Sequence, residues 1–163
     1  MYNVIKVKAA EIFPVVQEIL KNENSRVSII ITGNSMLPFL REGIDSVELV
    51  KPDFAKLRKL DIVLIQRKNG VYILHRVYKK KKDCFYMVGD NQVFIEGPLY
   101  PDQLIGVVDT IIRNGKRIPS RSFPLILLAG IWVFALPVRR LLWKVSHKAR
   151  YVIKKLSYIR SRH

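Results

Sequence analysis

The sequence predicts a mainly β protein: one twisted, antiparallel sheet domain with a short helix before it and a helical segment of different character after it. Three observations carry that expectation. Short apolar runs rich in β-branched residues, such as Val27-Ser28-Ile29-Ile30-Ile31 and Ile62-Val63-Leu64-Ile65, recur along residues 27–118, and such runs favour extended strands. Turn dipeptides, Asn69-Gly70 and Asn114-Gly115, separate consecutive runs as hairpin turns do. Finally, seventeen uncharged residues, 122–138, stand between Arg121 and Arg139 and end the alternating pattern.

At 163 residues the chain has room for one compact domain, and 49% hydrophobic content is enough for a core. The single cysteine, Cys84, makes no internal disulfide and is expected as a small buried hydrophobe in a strand. The net charge of +16 is uneven, because residues 139–163 hold nine Lys or Arg and no acid. Such a balance favours a polyanionic partner, either nucleic acid or the anionic face of a membrane.

In chain order, residues 1–8 read as a short strand or ordered arm. From Ala9 to about Lys21, the residues Ile12, Phe13, Val16, Ile19 and Leu20 recur at helical spacing, and Pro14 places the expected helix start around itself. No apolar stretch with a small-residue cleavage site precedes residue 35, so no signal peptide or leading span is expected. Strands are expected at 27–32, 46–51, 61–67, 71–79, 83–89 and 104–113, with a short one at 116–118. Residues 79–82 read as a charged hairpin tip, and 91–103, with Gly97, Pro98 and Pro101, as a long loop. The boundaries are then 1–26 for the arm and helix, 27–118 for the β domain, and 119–163 for the remainder.

That remainder points to a membrane. As a helix, residues 122–138 reach about 25 Å against a hydrocarbon core of roughly 30 Å, the short limit for a span. Beyond them Leu141, Leu142, Val145, Ala149, Val152, Ile153, Leu156 and Ile159 recur at helical spacing among basic residues, the pattern of an interfacial helix. Trp132 and Trp143 suit interface anchors. Residues 122–163 are therefore expected to engage an anionic membrane, spanning it or lying in it. If they span, the positive-inside rule puts the basic tail in the cytoplasm. A chain ended near Ile118 is expected to stay soluble.

The chemistry-bearing stretch is Gly33-Asn34-Ser35-Met36-Leu37-Pro38, which follows the first apolar run. Gly33 and Asn34 let a backbone turn sharply, and Pro38 keeps Leu37 from helix. A serine there is held at a strand end with its hydroxyl presented. Leu74-His75-Arg76-Val77 lies forty positions on, and Val88-Gly89-Asp90-Asn91 follows at the end of another run. Together these stretches resemble the three motif boxes of the signal peptidase I family, within the superfamily that includes LexA-type self-cleaving repressors. Many bacterial members have lysine where His75 stands, so the resemblance is to the histidine-type branch of the endoplasmic reticulum and archaea. It covers residues 27–113 and implies a coiled β-sheet fold. It also implies a serine endopeptidase (a hydrolase) that cleaves leader or signal peptides after small residues, bound in extended form.

Within that resemblance each residue has an expected role. A serine hydroxyl needs a base, and His75 is the histidine inside the β domain, His147 and His163 lying in the tail. Neutral imidazole can take the Ser35 proton and return it to the leaving amine. A third group should orient the ring; Asp90 and Glu96 are the alternatives, a glutamate at the latter position being a departure from the family. The resemblance implies the Ser35 N–H as oxyanion donor, with Gly33 offering only backbone just upstream. Asn34, Met36 and Pro38 complete the oxyanion and groove stretch, with Met36 equally suited to the core. Arg76, next to the base on a strand, should face away from the site. No metal and no cofactor are expected. The expected partners are a precursor peptide or protein as substrate and an anionic membrane, and the expected location is the cytoplasmic membrane of a prokaryote.

Two rival functions rank lower. A LexA-like self-cleaving regulator would want a lysine base and a DNA-binding domain, and 34 residues precede Ser35. A basic β module binding nucleic acid would want stacking aromatics on its strands, whereas the densest charge lies beside apolar sequence. Nucleic acid is therefore not expected as a partner.

Overall fold

A computed structural model describes residues 9–22 and 24–143. In chain order these form α1 (Ala9–Ile19), β1 (Arg26–Ile30), β2 (Asp45–Val50), β3 (Ile62–Gln66), β4 (Tyr72–Lys80), β5 (Phe85–Val88), β6 (Glu96–Leu99), β7 (Leu104–Arg113), β8 (Lys116–Pro119) and α2 (Phe123–Phe134). A second C-terminal helix, α3 (Leu136–Trp143), follows α2 after a bend of 48°. The strands join one eight-stranded sheet in the order β1-β2-β7-β3-β4-β5-β6, with β8 also on β7. Every pairing is antiparallel. The mainly β expectation holds, and both expected hairpins form, with Gly70, Asn114 and Gly115 at positive φ in their turns.

Two long strands shape the sheet by changing partners along their length. One edge of β7 lies on β2, while its other edge carries β3 over Leu104–Val107 and β8 over Thr110–Arg113. Likewise β4 pairs with β3 over Tyr72–Arg76 and with β5 only from Arg76 to Lys80. The outer edge of Tyr72–His75 is therefore unpaired among the described residues, as is the outer edge of β1.

Successive side chains of a strand point to opposite faces, and β3 feeds a core on each. Ile62 and Leu64 join Val47, Leu49, Ile105 and Met36 on one side. Val63 and Ile65 join Val77, Phe85 and Met87 on the other. Burial on both faces explains why residues 62–65 read as a continuous apolar run rather than an alternating one.

Three expectations are corrected. Cys84 is half-buried and precedes β5 rather than lying buried in a strand. Pro14 does not start α1 but lies inside it; the helix persists because Val16 and Leu20 bury into the main core, and such packing outweighs the lost hydrogen bond. The expected loop 91–103 contains β6, which pairs with β5 despite Gly97 and Pro98. It is an edge strand, where the missing proline donor faces no partner. The expected arm at 1–8 and the amphipathic pattern beyond Trp143 lie outside the described residues.

The C-terminal helices are not a separate appendage. Leu136 packs with Val88 and Val93, Ala129 and Val133 are buried, and Trp132 meets the Phe39 ring edge-on at 6.3 Å between centroids. Residues on the two sides of the boundary drawn at 118 thus pack together, and Leu136 covers Val88 and Val93. We predict that Leu136→Ala destabilises the protein by about 2–4 kcal/mol in chemical denaturation. Phe134→Ala, at a side chain 88% exposed, should change stability by no more than about 0.5 kcal/mol.

Candidate active site

The chain leaves the sheet just after β1. Ile31 N–H donates to the Asp45 carbonyl at 3.0 Å, and Gly43 N–H returns to the Ile31 carbonyl at 2.9 Å. Between them Gly33 takes φ +79°, which lets the backbone reverse without a side-chain clash. A tight turn follows Ser35, with a cis Leu37–Pro38 peptide inside it, closed by Leu40 N–H on the Met36 carbonyl at 2.9 Å. Met36 anchors it in the core. Arg113 holds its far end, donating to the Phe39 carbonyl and to both Asp45 carboxylate oxygens. Burial alone would raise the Asp45 pKa, but hydrogen bonds from Arg41 and Arg113 prevail and hold it at about 2.

The three sequence stretches meet at this turn. His75, on β4 opposite Val63, is buried. Gly89 sits between it and the serine: a Cβ there would lie 2.8 Å from the Ser35 carbonyl oxygen and 2.9 Å from His75 Nε2. Asn91 N–H donates to the same Ser35 carbonyl at 2.8 Å, and Asn91 Nδ2 to the Asn34 carbonyl at 3.2 Å. Ser35 and His75 both line a cleft of about 340 Å³, whose walls include Ile29, Ile31, Leu74 and Arg67. The cleft runs between the unpaired edges of β1 and of Tyr72–His75.

Neither acid is hydrogen-bonded to His75 Nδ1. Asp90 accepts two hydrogen bonds from Arg76, from Nε at 2.8 Å and from Nη2 at 2.7 Å, and both side chains are buried. Arg76 points away from His75, as alternation requires, and holds Asp90 with it. Glu96 is bound by Arg67 through both carboxylate oxygens. His75 Nδ1 is the buried side-chain polar atom without a hydrogen-bond partner among the described residues, the kind of exception that concentrates at functional sites.

Opposite charges act on His75. Burial lowers its pKa to about 4, the Glu96 carboxylate pulling it upward and the Arg67 guanidinium downward. The imidazole is thus neutral over the ordinary pH range and able to accept a proton. Burial pushes the Asp90 carboxyl upward, and Arg76 opposes that shift.

Of the expected groove residues, Gly33 and Met36 line the cleft, while Asn34 and Pro38 do not. Asn34 contributes its carbonyl to Asn91, and Pro38 is exposed at the turn's back. The cleft also includes Phe13, Arg67 and Gln92, which sequence reasoning did not single out. Phe13 arrives on α1 and stacks on Tyr72 with centroids 4.6 Å apart. Arg67 ends an apolar run as many surface cations do, so no local signal marks it. No three His, Cys, Asp or Glu side chains gather as metal ligands would among the described residues. Compared with models of known protein families and with curated proteins, the chain matches none.

Asp90→Asn would leave the Arg76 guanidinium buried without its countercharge, and should cost about 3–5 kcal/mol in denaturant unfolding. The His75 ring, followed by NMR, should titrate with a midpoint of about 4. Glu96→Gln should lower that midpoint further and Arg67→Met should raise it. Because the folded pKa lies below the unfolded value of about 6.5, the unfolded chain binds the proton first as pH falls. Stability should therefore rise from pH 4 to 6.5, and His75→Gln should flatten that rise.

Proposed function

We propose that the protein is a membrane-associated serine endopeptidase of the signal-peptidase type, with Ser35 as nucleophile and His75 as general base. The observation that carries this reading is that Ser35 and His75 share one cleft between two open strand edges, with Gly89 set closely against both. A precursor segment laid in the cleft in extended form would find backbone partners on both edges, as in strand addition. Its scissile carbonyl would then lie beside Ser35. The Ser35 and Gly33 N–H groups are the proposed oxyanion donors.

In the proposed cycle Ser35 Oγ attacks the carbonyl carbon while His75 takes its proton. The tetrahedral oxyanion collapses, the C–N bond breaks, and His75 returns the proton to the leaving amine. Water then attacks the acyl-serine ester with His75 again as base, releasing the carboxylic acid and regenerating Ser35. Burial keeps the imidazole neutral and ready for each step. Glu96 acts on it through space, favouring the imidazolium that forms. Asp90 serves the scaffold by holding Arg76.

The test is cleavage of synthetic precursor peptides carrying an Ala-x-Ala site. Wild type should cleave them, and Ser35→Ala and His75→Ala should each lose about a thousandfold or more in kcat/KM, with Ser35→Ala unfolding as wild type does. The rate should be level from about pH 5 upward and fall below it, following the His75 pKa of about 4. Undiminished cleavage by folded Ser35→Ala would overturn the reading.

A further inference from the structure

We infer that α2 and α3 attach the protein to one leaflet of an anionic membrane, lying in its plane by their outer face, and do not cross it. The inference rests on the membrane association proposed above but not on the peptidase chemistry. Along the two helices Phe123, Leu127, Ile131, Phe134, Val138 and Leu141 follow one another at helical spacing, and all are exposed. Phe123 is 78% and Phe134 88% exposed, and the stripe continues through the 48° bend. A bare apolar stripe of that length marks a surface that works against another apolar phase.

The opposite face is committed to the protein. Trp132 Nε1 donates to the Asp90 carbonyl at 2.7 Å, and Arg139 donates to the carbonyls of Asp90 and Gln92. Arg140 donates to the Val93 carbonyl at 2.9 Å, and Leu136 is buried against Val88. A crossing helix would have to give up these contacts or pull the sheet into the lipid. Nor is α2 long enough: it has 12 residues, about 18 Å, against a hydrocarbon core of roughly 30 Å. No single helix among the described residues is long and apolar enough to cross a membrane, and the α2–α3 pair reaches that length and composition only together, across its 48° bend. Reaching further along the chain would place Arg139 and Arg140 within the span.

Charge identifies the covering phase. Residues 144–163 carry seven Lys or Arg and no acid, so the stripe runs directly into a cationic segment. Anionic headgroups complement both at once, hydrocarbon below and charge at the surface. A second copy of the chain fits poorly, since pairing the stripes would bring two such tails together.

The full chain should co-sediment with vesicles of phosphatidylcholine and phosphatidylglycerol, and much less with phosphatidylcholine alone. The double variant Leu127→Glu/Phe134→Glu should lose about tenfold or more of that binding with unchanged denaturant unfolding. Sidedness separates lying from crossing. In sealed membrane vesicles from expressing cells, an impermeant thiol reagent probes Asp83→Cys in a Cys84→Ser chain, and an antibody probes an epitope after His163. Access to both from the same side supports the inference. Access from opposite sides overturns it while leaving membrane association intact. Failure of wild type to bind the anionic vesicles overturns both, and so does a dimer that forms through the stripe and ignores them.

Discussion

The arrangement depends on one buried ion pair, Arg76 with Asp90. Two parallel hydrogen bonds join them where neither side chain is more than 4% exposed. Placing two ions out of water costs several kcal/mol each unless their geometry and remaining hydrogen bonds are good. Here they are. Arg76 also donates to the Leu60 carbonyl at 2.9 Å and lies 5.0 Å from the Phe39 ring centroid. The pair thereby joins β4, the connection before β3, the turn after Ser35 and the loop after β5. Gly89 is the residue before Asp90, and it is held where only a hydrogen fits between Ser35 and His75. Asp90 thus belongs to the site by fixing its geometry, without touching the imidazole.

That geometry decides the state of His75. A strand interior removes water from the ring, and the loss of hydration disfavours its charged form. Glu96 and Arg67, bound to one another, act on it in opposite directions, the carboxylate raising its pKa and the guanidinium lowering it. The result is a neutral imidazole whose proton affinity is set by burial first and by a half-buried ion pair second. A ligand that disturbed the Arg67–Glu96 pair would change the imidazole's basicity without contacting it.

The C-terminal helices connect that site to the protein's apolar exterior. Their inner face supplies donors to three carbonyls in the loop that carries Gly89 and Asp90, through Trp132, Arg139 and Arg140. Their outer face is bare hydrocarbon. One element therefore supports the loop on one side and offers a lipid-compatible surface on the other. Its mean composition alone does not separate the two faces, because nearly every residue from 123 to 138 is apolar.

Local chemistry determined a good deal of this protein. β-branched runs and Asn-Gly turns specify strands and hairpins within a few residues, because pleat and positive φ are properties of short segments. The turn around Ser35 and the extended run around His75 were legible for the same reason. Partnership was not. Asp90 and Glu96 are both acids near a Gly-Asp-Asn turn, and nothing nearby in sequence says that arginines on β4 and at the end of β3 claim them. Pro14 and Pro98 read as breaks, yet core packing of α1 and an edge position for β6 absorb them. The face of residues 123–143 that meets the protein, and the face left bare, depend on where Val88, Val93 and Phe39 stand in space. Long-range contacts of that kind are decided by the sheet's closure, since only folding brings residues fifty positions apart within hydrogen-bonding distance.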